Sequence, residues 1–286
     1  MKKLLLSAFV ICLAGTSIAQ ESPLWMRHCA LSPDGTTIAF TYKGDIYTVP
    51  STGGRATQIT TNPAFDTEPV WSPDSKQIAF ASDRMGSLDV FVVSSEGGAP
   101  QRLTTHSGSE KPVAYKDNKH ILFTANIAPS AEDAGFPSGQ FQQVYEVAVT
   151  GGRPAMFSSM PMECISINKE GVMLYQDKKG YEDYWRKHQV SPIARDIWTY
   201  TPGKKPVYQK QTTFGGEDRE PVWSPDGKSF YYLSEEKGSF NIFQRTPGTT
   251  TSQQITFHTK HPVRFLSIST TGTLCYGYDG EIYTLT

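Results

Sequence analysis

The side chains best suited to binding chemistry are concentrated in one stretch of the chain, between residues 181 and 195. This stretch combines aromatic rings, cations and one imidazole: Tyr181, Tyr184, Trp185, Arg186, Lys187, His188 and Arg195. Aromatic residues and arginine are favoured at the centres of protein interfaces. We expect these residues to form a binding rim for peptide carboxylates or for a neighbouring domain. The competing interpretation is that Tyr184 and Trp185 fasten a long loop to the body of the protein.

No segment has the pattern of a catalytic or metal site. The sequence has no Gly-x-Ser-x-Gly elbow, no His-Glu-x-x-His pair and no glycine-rich phosphate loop. His188 has the chemistry of a general base, but no nucleophile can be placed beside it. No pair of cysteines or histidines has the spacing of zinc ligands. We therefore assign no catalytic residue, no metal ligand and no cofactor.

The elements that must position this stretch are defined by a phrase that occurs six times. An acidic or amide residue is followed by a β-branched residue and an aromatic one, at 45–47, 89–91, 143–145, 196–198, 241–243 and 281–283. Upstream stands a Ser-Pro-Asp-Gly turn or a degenerate version of it, followed by an alternating β-rich run. Gly-Gly pairs downstream indicate a second hairpin. Each unit therefore predicts four antiparallel strands.

Repeats of this length and strand content are typical of β-propellers. We predict an all-β, six-bladed propeller of four-stranded antiparallel blades, whose last blade is incomplete because the chain stops after the sixth phrase. A solenoid is the alternative. The expected blades span residues 24–61, 66–105, 110–158, 162–213, 217–257 and 262–286. The missing strand leaves two interpretations, a ring that closes with three strands and a longer polypeptide, and we favour the second.

Blades three and four carry long insertions between their second and third strands, at 126–141 and 177–195. The same topological loop in adjacent blades must emerge on the same face of the disc. Repeat proteins place binding insertions in this way, although variable surface loops have the same appearance.

Residues 1–19 have the basic start, apolar run and small-residue end of a secretory signal, with cleavage expected after Ala19. No second apolar run is long enough to span a membrane. Without Lys2 and Lys3 the chain has 25 basic and 28 acidic side chains, a formal charge of −3. With this charge balance, the sequence shows no basic patch of the kind that binds nucleic acid. Of the remaining cysteines, Cys29 and Cys164 are expected on innermost strands and Cys275 on a second strand, as small buried hydrophobes in preference to a disulfide.

The stretch Tyr181 to His188, followed by Ser191-Pro192-Ile193-Ala194-Arg195-Asp196-Ile197-Trp198, resembles the N-terminal six-bladed propeller of tricorn-type serine peptidases. The turn and aromatic phrases also resemble the propellers of TolB and of dipeptidyl-peptidase-like enzymes. The tricorn resemblance implies an exported hydrolase that degrades peptides, with its catalytic region absent from this chain.

Two functions follow. The first is a non-catalytic propeller that gates substrates or scaffolds the peptidase, with peptides, the downstream peptidase domains or other subunits as partners. The alternative is a stand-alone, TolB-like periplasmic propeller that binds an envelope protein. On either interpretation the mature chain is expected in the periplasm or outside the cell.

Overall fold

The fold is known from a computed structural model that describes residues 25–127, 141–180 and 190–286. In these ranges the chain forms only strands, turns and irregular segments. The strands are β1 (Arg27–Leu31), β2 (Thr37–Tyr42), β3 (Asp45–Pro50), β4 (Thr57–Gln58), β5 (Asp66–Trp71), β6 (Gln77–Ser82), β7 (Asp89–Ser94), β8 (Gln101–Arg102), β9 (Lys111–Asp117), β10 (His120–Ala125), β11 (Gln143–Ala148), β12 (Ala155–Ser158), β13 (Met162–Ile167), β14 (Met173–Asp177), β15 (Ile197–Thr201), β16 (Val207–Lys210), β17 (Asp218–Trp223), β18 (Phe230–Ser234), β19 (Asn241–Arg245), β20 (Ser252–Gln254), β21 (Arg264–Ile268), β22 (Leu274–Tyr278) and β23 (Glu281–Leu285).

These strands form six antiparallel sheets in chain order, which confirms the six-bladed propeller. Five sheets have four strands, and the sixth consists of β21, β22 and β23. The innermost strand of each blade packs against the innermost strands of both neighbours, and β21 packs against β1. The ring therefore closes although the last blade has three strands, as the first of our two interpretations allowed.

The Ser-Pro-Asp-Gly turns form the predicted connection between the first and second strands. Ser32 Oγ donates to Asp34 Oδ1 at 2.6 Å, and the Thr37 amide donates to Ser32 Oγ at 3.0 Å. The serine and aspartate of the turns at 72–75 and 224–227 make the same bond. Gly35 has a φ of 78°, a conformation that glycine adopts without steric cost. The local sequence is therefore sufficient to close this hairpin.

The repeated phrase forms the third strand of every blade. In the first five blades its β-branched residue is fully buried, at Ile46, Val90, Val144, Ile197 and Ile242. In blades one and five, the acidic or amide residue of the phrase holds a threonine that follows the outer strand. In blade one, Thr60 Oγ1 accepts from the Ile46 amide at 3.0 Å and donates to Asp45 at 3.1 Å. Thr256 makes the equivalent bonds to Ile242 and Asn241 in blade five.

The alternating β-rich runs that follow the turns form the second strand of every blade, as predicted. One expectation was wrong. Cys29 and Cys275 are buried, but Cys164 is exposed. Its φ of 51° turns the side chain away from the blade interface, a local feature that sequence alternation does not show.

Candidate channel-mouth site

The roots of the two insertions lie at the same end of adjacent blades. Lys111 at the start of β9 pairs with Thr124 near the end of β10, where the first insertion begins. In blade four, Met162 at the start of β13 pairs with Asp177, where the second insertion begins. Strands β9 and β13 pack against each other. Both insertions therefore leave the disc on the face where the innermost strands start, which we call the insertion face.

The described residues include one of the seven predicted rim residues. Tyr181, Tyr184, Trp185, Arg186, Lys187 and His188 lie outside the described ranges. Arg195 is described, and its side chain is 7% exposed. It points inward to Glu163 and Glu217, and not toward solvent. The structure thus gives Arg195 contacts that fit the fastening of the insertion to the disc.

An alternating chain of charges connects this root to blade five. Lys178 Nζ lies 3.1 Å from Glu163 Oε1, and Arg195 Nε lies 3.0 Å from Glu163 Oε2. Arg195 Nη1 lies 3.3 Å from Glu217 Oε1, and Glu217 Oε2 lies 2.6 Å from Arg219 Nε. Each carboxylate therefore lies between two cations. Removal of Arg195 would leave each carboxylate with one cation in place of two and would remove the link between Glu163 and Glu217.

The pKa values follow from this arrangement. Burial alone would raise the pKa of Glu163, but Arg195 and Lys178 outweigh burial and hold it below the usual value. Burial alone would lower the pKa of Arg195, but Glu163 and Glu217 raise it. Glu163 and Arg195 are therefore both ionised at neutral pH.

A β-bulge in each innermost strand brings polar side chains to the axis of the ring. Five of the six strands carry a non-glycine residue with left-handed φ at the same position: His28, Glu68, Cys164, Glu220 and Phe265. Pro112 takes this position in blade three, by the strand register. Such conformations are unfavourable for residues with a Cβ and persist where the surrounding structure imposes them. The same bulge therefore recurs around the axis, and we call the residues at and beside it the axial wall.

Adjacent members of this wall interact across the blade boundaries. Lys111 Nζ lies 2.6 Å from Glu68 Oε1, and both side chains are about one-third exposed. Thr67 Oγ1 lies 3.1 Å from His28 Nδ1, and the His28 ring lies 4.8 Å from the Phe265 ring. The wall therefore presents both signs of charge and aromatic surface to one narrow space.

The cysteine and histidine side chains of the axial wall do not have the pKa shifts that activate a residue for nucleophilic catalysis. Cys164 is accessible along the axis, but its thiol is enclosed by the surrounding strands. This desolvation, followed by the Glu220 and Glu163 carboxylates, raises the pKa of the thiol well above its usual value. A reactive cysteine requires the opposite shift. Burial lowers the pKa of His28. Among the described residues, no group of three or more His, Cys, Asp or Glu side chains could hold a metal ion. The wall can bind and orient a ligand through ion pairs and hydrogen bonds.

Sequence reasoning missed the axial wall. The signal was present as charged residues at the first or second position of the innermost strands, as in Lys111 and Glu163. In a regular strand, successive side chains point to opposite faces, so one of two consecutive polar residues would enter a blade interface. Only the bulge places consecutive polar residues toward the axis.

The fold and its two long insertions define a six-bladed β-propeller with one elaborated face. The chain belongs to the family of the tricorn protease N-terminal beta propeller domain, whose model matches residues 23–286. It is 24% identical over 260 residues to tricorn protease homolog 1 of Streptomyces coelicolor, covering 88% of this chain and 23% of that protein. It is 34% identical over 218 residues to the uncharacterized protein Atu1656 of Agrobacterium fabrum, covering 71% and 68% of the two chains.

Solved structures support the same fold. The crystal structure of the tricorn protease matches with a TM-score of 0.76 at 17% identity, over 93% of this chain and 25% of that one. TolB from Acinetobacter baumannii matches with a TM-score of 0.62 at 14% identity, over 87% and 66% of the two chains. The chain thus spans about a quarter of the length of its tricorn relatives. In the described ranges, no helix has the length and apolar character needed to cross a bilayer.

Proposed function

We propose that this chain is the non-catalytic propeller of an exported tricorn-type serine peptidase, and that it gates peptides at the channel mouth on the insertion face. The observation that carries the proposal is the axial wall of mixed charge at the end where both insertions are rooted. The Glu68–Lys111 pair offers an anion and a cation side by side. A short peptide carries both charges at its termini, so such a wall can hold or orient it as it passes.

Two observations support a partnership with peptidase domains: the family to which the chain belongs, and the small fraction of its tricorn relatives that the chain covers. The tricorn relatives are about four times as long as the matched region. The propeller would then supply recognition, and the reaction would occur in a separate region of the assembly. The six rim residues between 181 and 188 extend the wall outward in this proposal, with Arg195 fastening their loop.

Export rests on the signal-like residues 1–19. Fusion of residues 1–30 to a reporter that is active only after export tests it directly. We expect reporter activity and a mature chain that begins at Gln20. A fusion that stays unprocessed and inactive would contradict export and leave the peptide-binding proposal to its own test.

Peptide binding is tested by fluorescence anisotropy with labelled peptides of roughly 6–12 residues. An extended peptide of this length is long enough to traverse a domain. The informative variant is Glu68→Gln with Lys111→Met, which removes both charges and retains the side-chain volumes. The matched control is Lys204→Ala with Lys205→Ala, in the exposed turn between β15 and β16 on the opposite face. We expect weaker binding in the first variant and unchanged binding in the control.

The TolB-like alternative, a stand-alone propeller that binds an envelope protein, is favoured by the structural match to TolB. The two functions differ in ligand. Equal peptide affinity in both variants, or no affinity for any peptide, would contradict the gating proposal. Recovery of a folded envelope protein that binds the purified chain, and whose binding the control leaves intact, would then support the alternative.

A further inference from the structure

The junction between blades six and one differs from the other five junctions in its connectivity. Consecutive blades are joined by the chain, but blade six meets blade one through non-covalent contacts among the described residues. The Thr270 amide donates to the Pro33 carbonyl at 2.8 Å, and the Leu31 amide donates to Ser267 Oγ at 3.0 Å. The Met26 amide donates to the Gly280 carbonyl at 3.1 Å. No strand of blade one joins the three-stranded sheet of blade six. The ring would open first at this junction.

Two cysteines from the opposite ends of the chain meet inside this junction. Cys29 on β1 is 4% exposed, and Cys275 on β22 is fully buried. Both belong to the apolar cluster that joins the two blades, together with Leu31, Ile38 and Phe40. The Cys29 thiol donates to the carbonyl of Phe265 on β21, with the two atoms 3.4 Å apart, and β1 also packs directly against β22. The two cysteines therefore lie in the same buried cluster, on strands that pack against each other.

The strand register shows that this pair is specific to the closing junction. We compared the other five junctions at the two equivalent positions, that of Cys275 in one blade and that of Cys29 in the next blade. Neither position holds a cysteine at any of these junctions, so no disulfide can form there. These pairs are Ala39 with Pro69, Ala79 with Val113, Leu122 with Ile165, Leu174 with Pro221, and Tyr231 with Leu266. Apolar packing alone is thus sufficient where the chain already joins the blades.

We propose that Cys29 and Cys275 form a disulfide that fastens blade six to blade one. In the present structure both are thiols. Oxidation forms one S–S bond, and the two thiols lose two protons and two electrons to a disulfide oxidant such as oxidised glutathione, which is reduced to two thiols. Because the pair is buried, exchange takes place during folding, before the junction is sealed. The bond encloses nearly the whole propeller, and the longest loops restrict the unfolded chain most.

Cys164 provides an internal control. It lies on the innermost strand of blade four, is exposed at the axis, and has no cysteine partner among the described residues. We expect it to stay a thiol under conditions that oxidise the other two. A site-specific readout is therefore possible within one sample.

The test refolds the full chain in a buffer of reduced and oxidised glutathione. Exchange is quenched with acid, the protein is unfolded without reductant, free thiols are alkylated, and the peptides are identified by mass spectrometry. We expect a peptide pair linked through Cys29 and Cys275, with Cys164 alkylated. Full alkylation of Cys29 and Cys275 would overturn the proposal, as would a linkage of either one to Cys164.

A second measurement compares urea midpoints with and without reductant. We expect reductant to lower the midpoint of the wild type and of Cys164→Ser, and to leave the midpoint of Cys29→Ala with Cys275→Ala unchanged. An equal response of all three proteins would contradict the disulfide. If the double variant fails to fold, the alkylation pattern of the wild type still decides. Neither readout uses peptide binding, so the result is independent of the gating proposal.

Discussion

Arg195 Nη1 lies 3.3 Å from Glu217 Oε1, with the two side chains 7% and 0% exposed. This ion pair joins the root of the insertion in blade four to the segment that begins blade five. Arg195 also holds Glu163 on the innermost strand of blade four. One residue at the end of the insertion therefore connects the surface loop, the axial wall and the neighbouring blade.

The first prediction follows from this contact. Arg195→Ala removes one of the two cations that contact Glu217 and one of the two that contact Glu163, so we expect a loss of about 1–3 kcal/mol in the free energy of unfolding. Arg195→Lys should recover only part of this loss, because lysine cannot reproduce two directed guanidinium contacts. Urea denaturation measures both values. Lys205→Ala, in an exposed turn of the same blade, is the control. An Arg195→Ala midpoint equal to that of the control would contradict the fastening role.

The second prediction concerns the outer part of the same insertion. If its residues bind peptides, Trp185→Ala with Arg186→Ala should weaken peptide binding and change the free energy of unfolding by less than about 1–2 kcal/mol. Tyr208→Ala with Lys205→Ala removes one aromatic and one cationic side chain elsewhere in blade four and is the matched control. A drop in melting temperature with intact binding would instead show that Trp185 fastens the loop.

The third prediction tests the register of the repeated phrase. Ile197 on β15 is fully buried in the cluster between blades four and five. Loss of this burial costs about 1.5–3 kcal/mol, and the carboxylate of Ile197→Asp adds the cost of an unpaired buried charge. We expect the variant to yield no folded protein. Val207→Asp on the neighbouring strand β16, at a site 56% exposed, should remain folded. Circular dichroism and size-exclusion chromatography distinguish the outcomes.

The fourth prediction is a pH dependence. Burial, with the nearby Asp89 carboxylate, raises the pKa of Glu110 from 4.5 to about 7, and burial raises that of Asp218 from 3.8 to about 7. The folded state thus binds these protons more tightly than the unfolded state. Their stabilisation is complete below about pH 4 and is lost as the pH rises to about 7.

Glu110→Gln should flatten this fall in the free energy of unfolding, whereas Glu96→Gln, in an exposed turn, should not. Denaturation midpoints from pH 4.5 to 8 provide the measurement. A wild-type midpoint that rises across this window would contradict the protonated state of the two carboxyls.

The fifth prediction is an absence of peptidase activity in this chain. The sequence offers no paired nucleophile and base, and the raised pKa of Cys164 keeps its thiol protonated at neutral pH. We expect no cleavage of a fluorogenic peptide panel by the purified protein. Cleavage that co-purifies with the chain and is abolished by serine-directed inhibitors would refute this.

The sequence alone determined the repeat, the strand order and the residues that bury each blade. The Ser-Pro-Asp-Gly turns and the repeated phrase act through neighbouring residues, such as Ser32 with Asp34 or Ile46 with Thr60, so their geometry is encoded within one unit. The same locality places the roots of the two insertions on one face. These features follow from the period of the chain and require no knowledge of distant contacts.

Tertiary structure decided which units face each other and what reaches the axis. The contact of Cys29 with Cys275 arises because closure of the ring brings the two ends of the chain together. The contact of Arg195 with Glu217 depends on how two blades pack. The bulges that turn Glu68 and Cys164 to the axis interrupt the alternation on which sequence reasoning relies. Periodicity describes one strand at a time, whereas a channel wall is made by six strands packed around one axis.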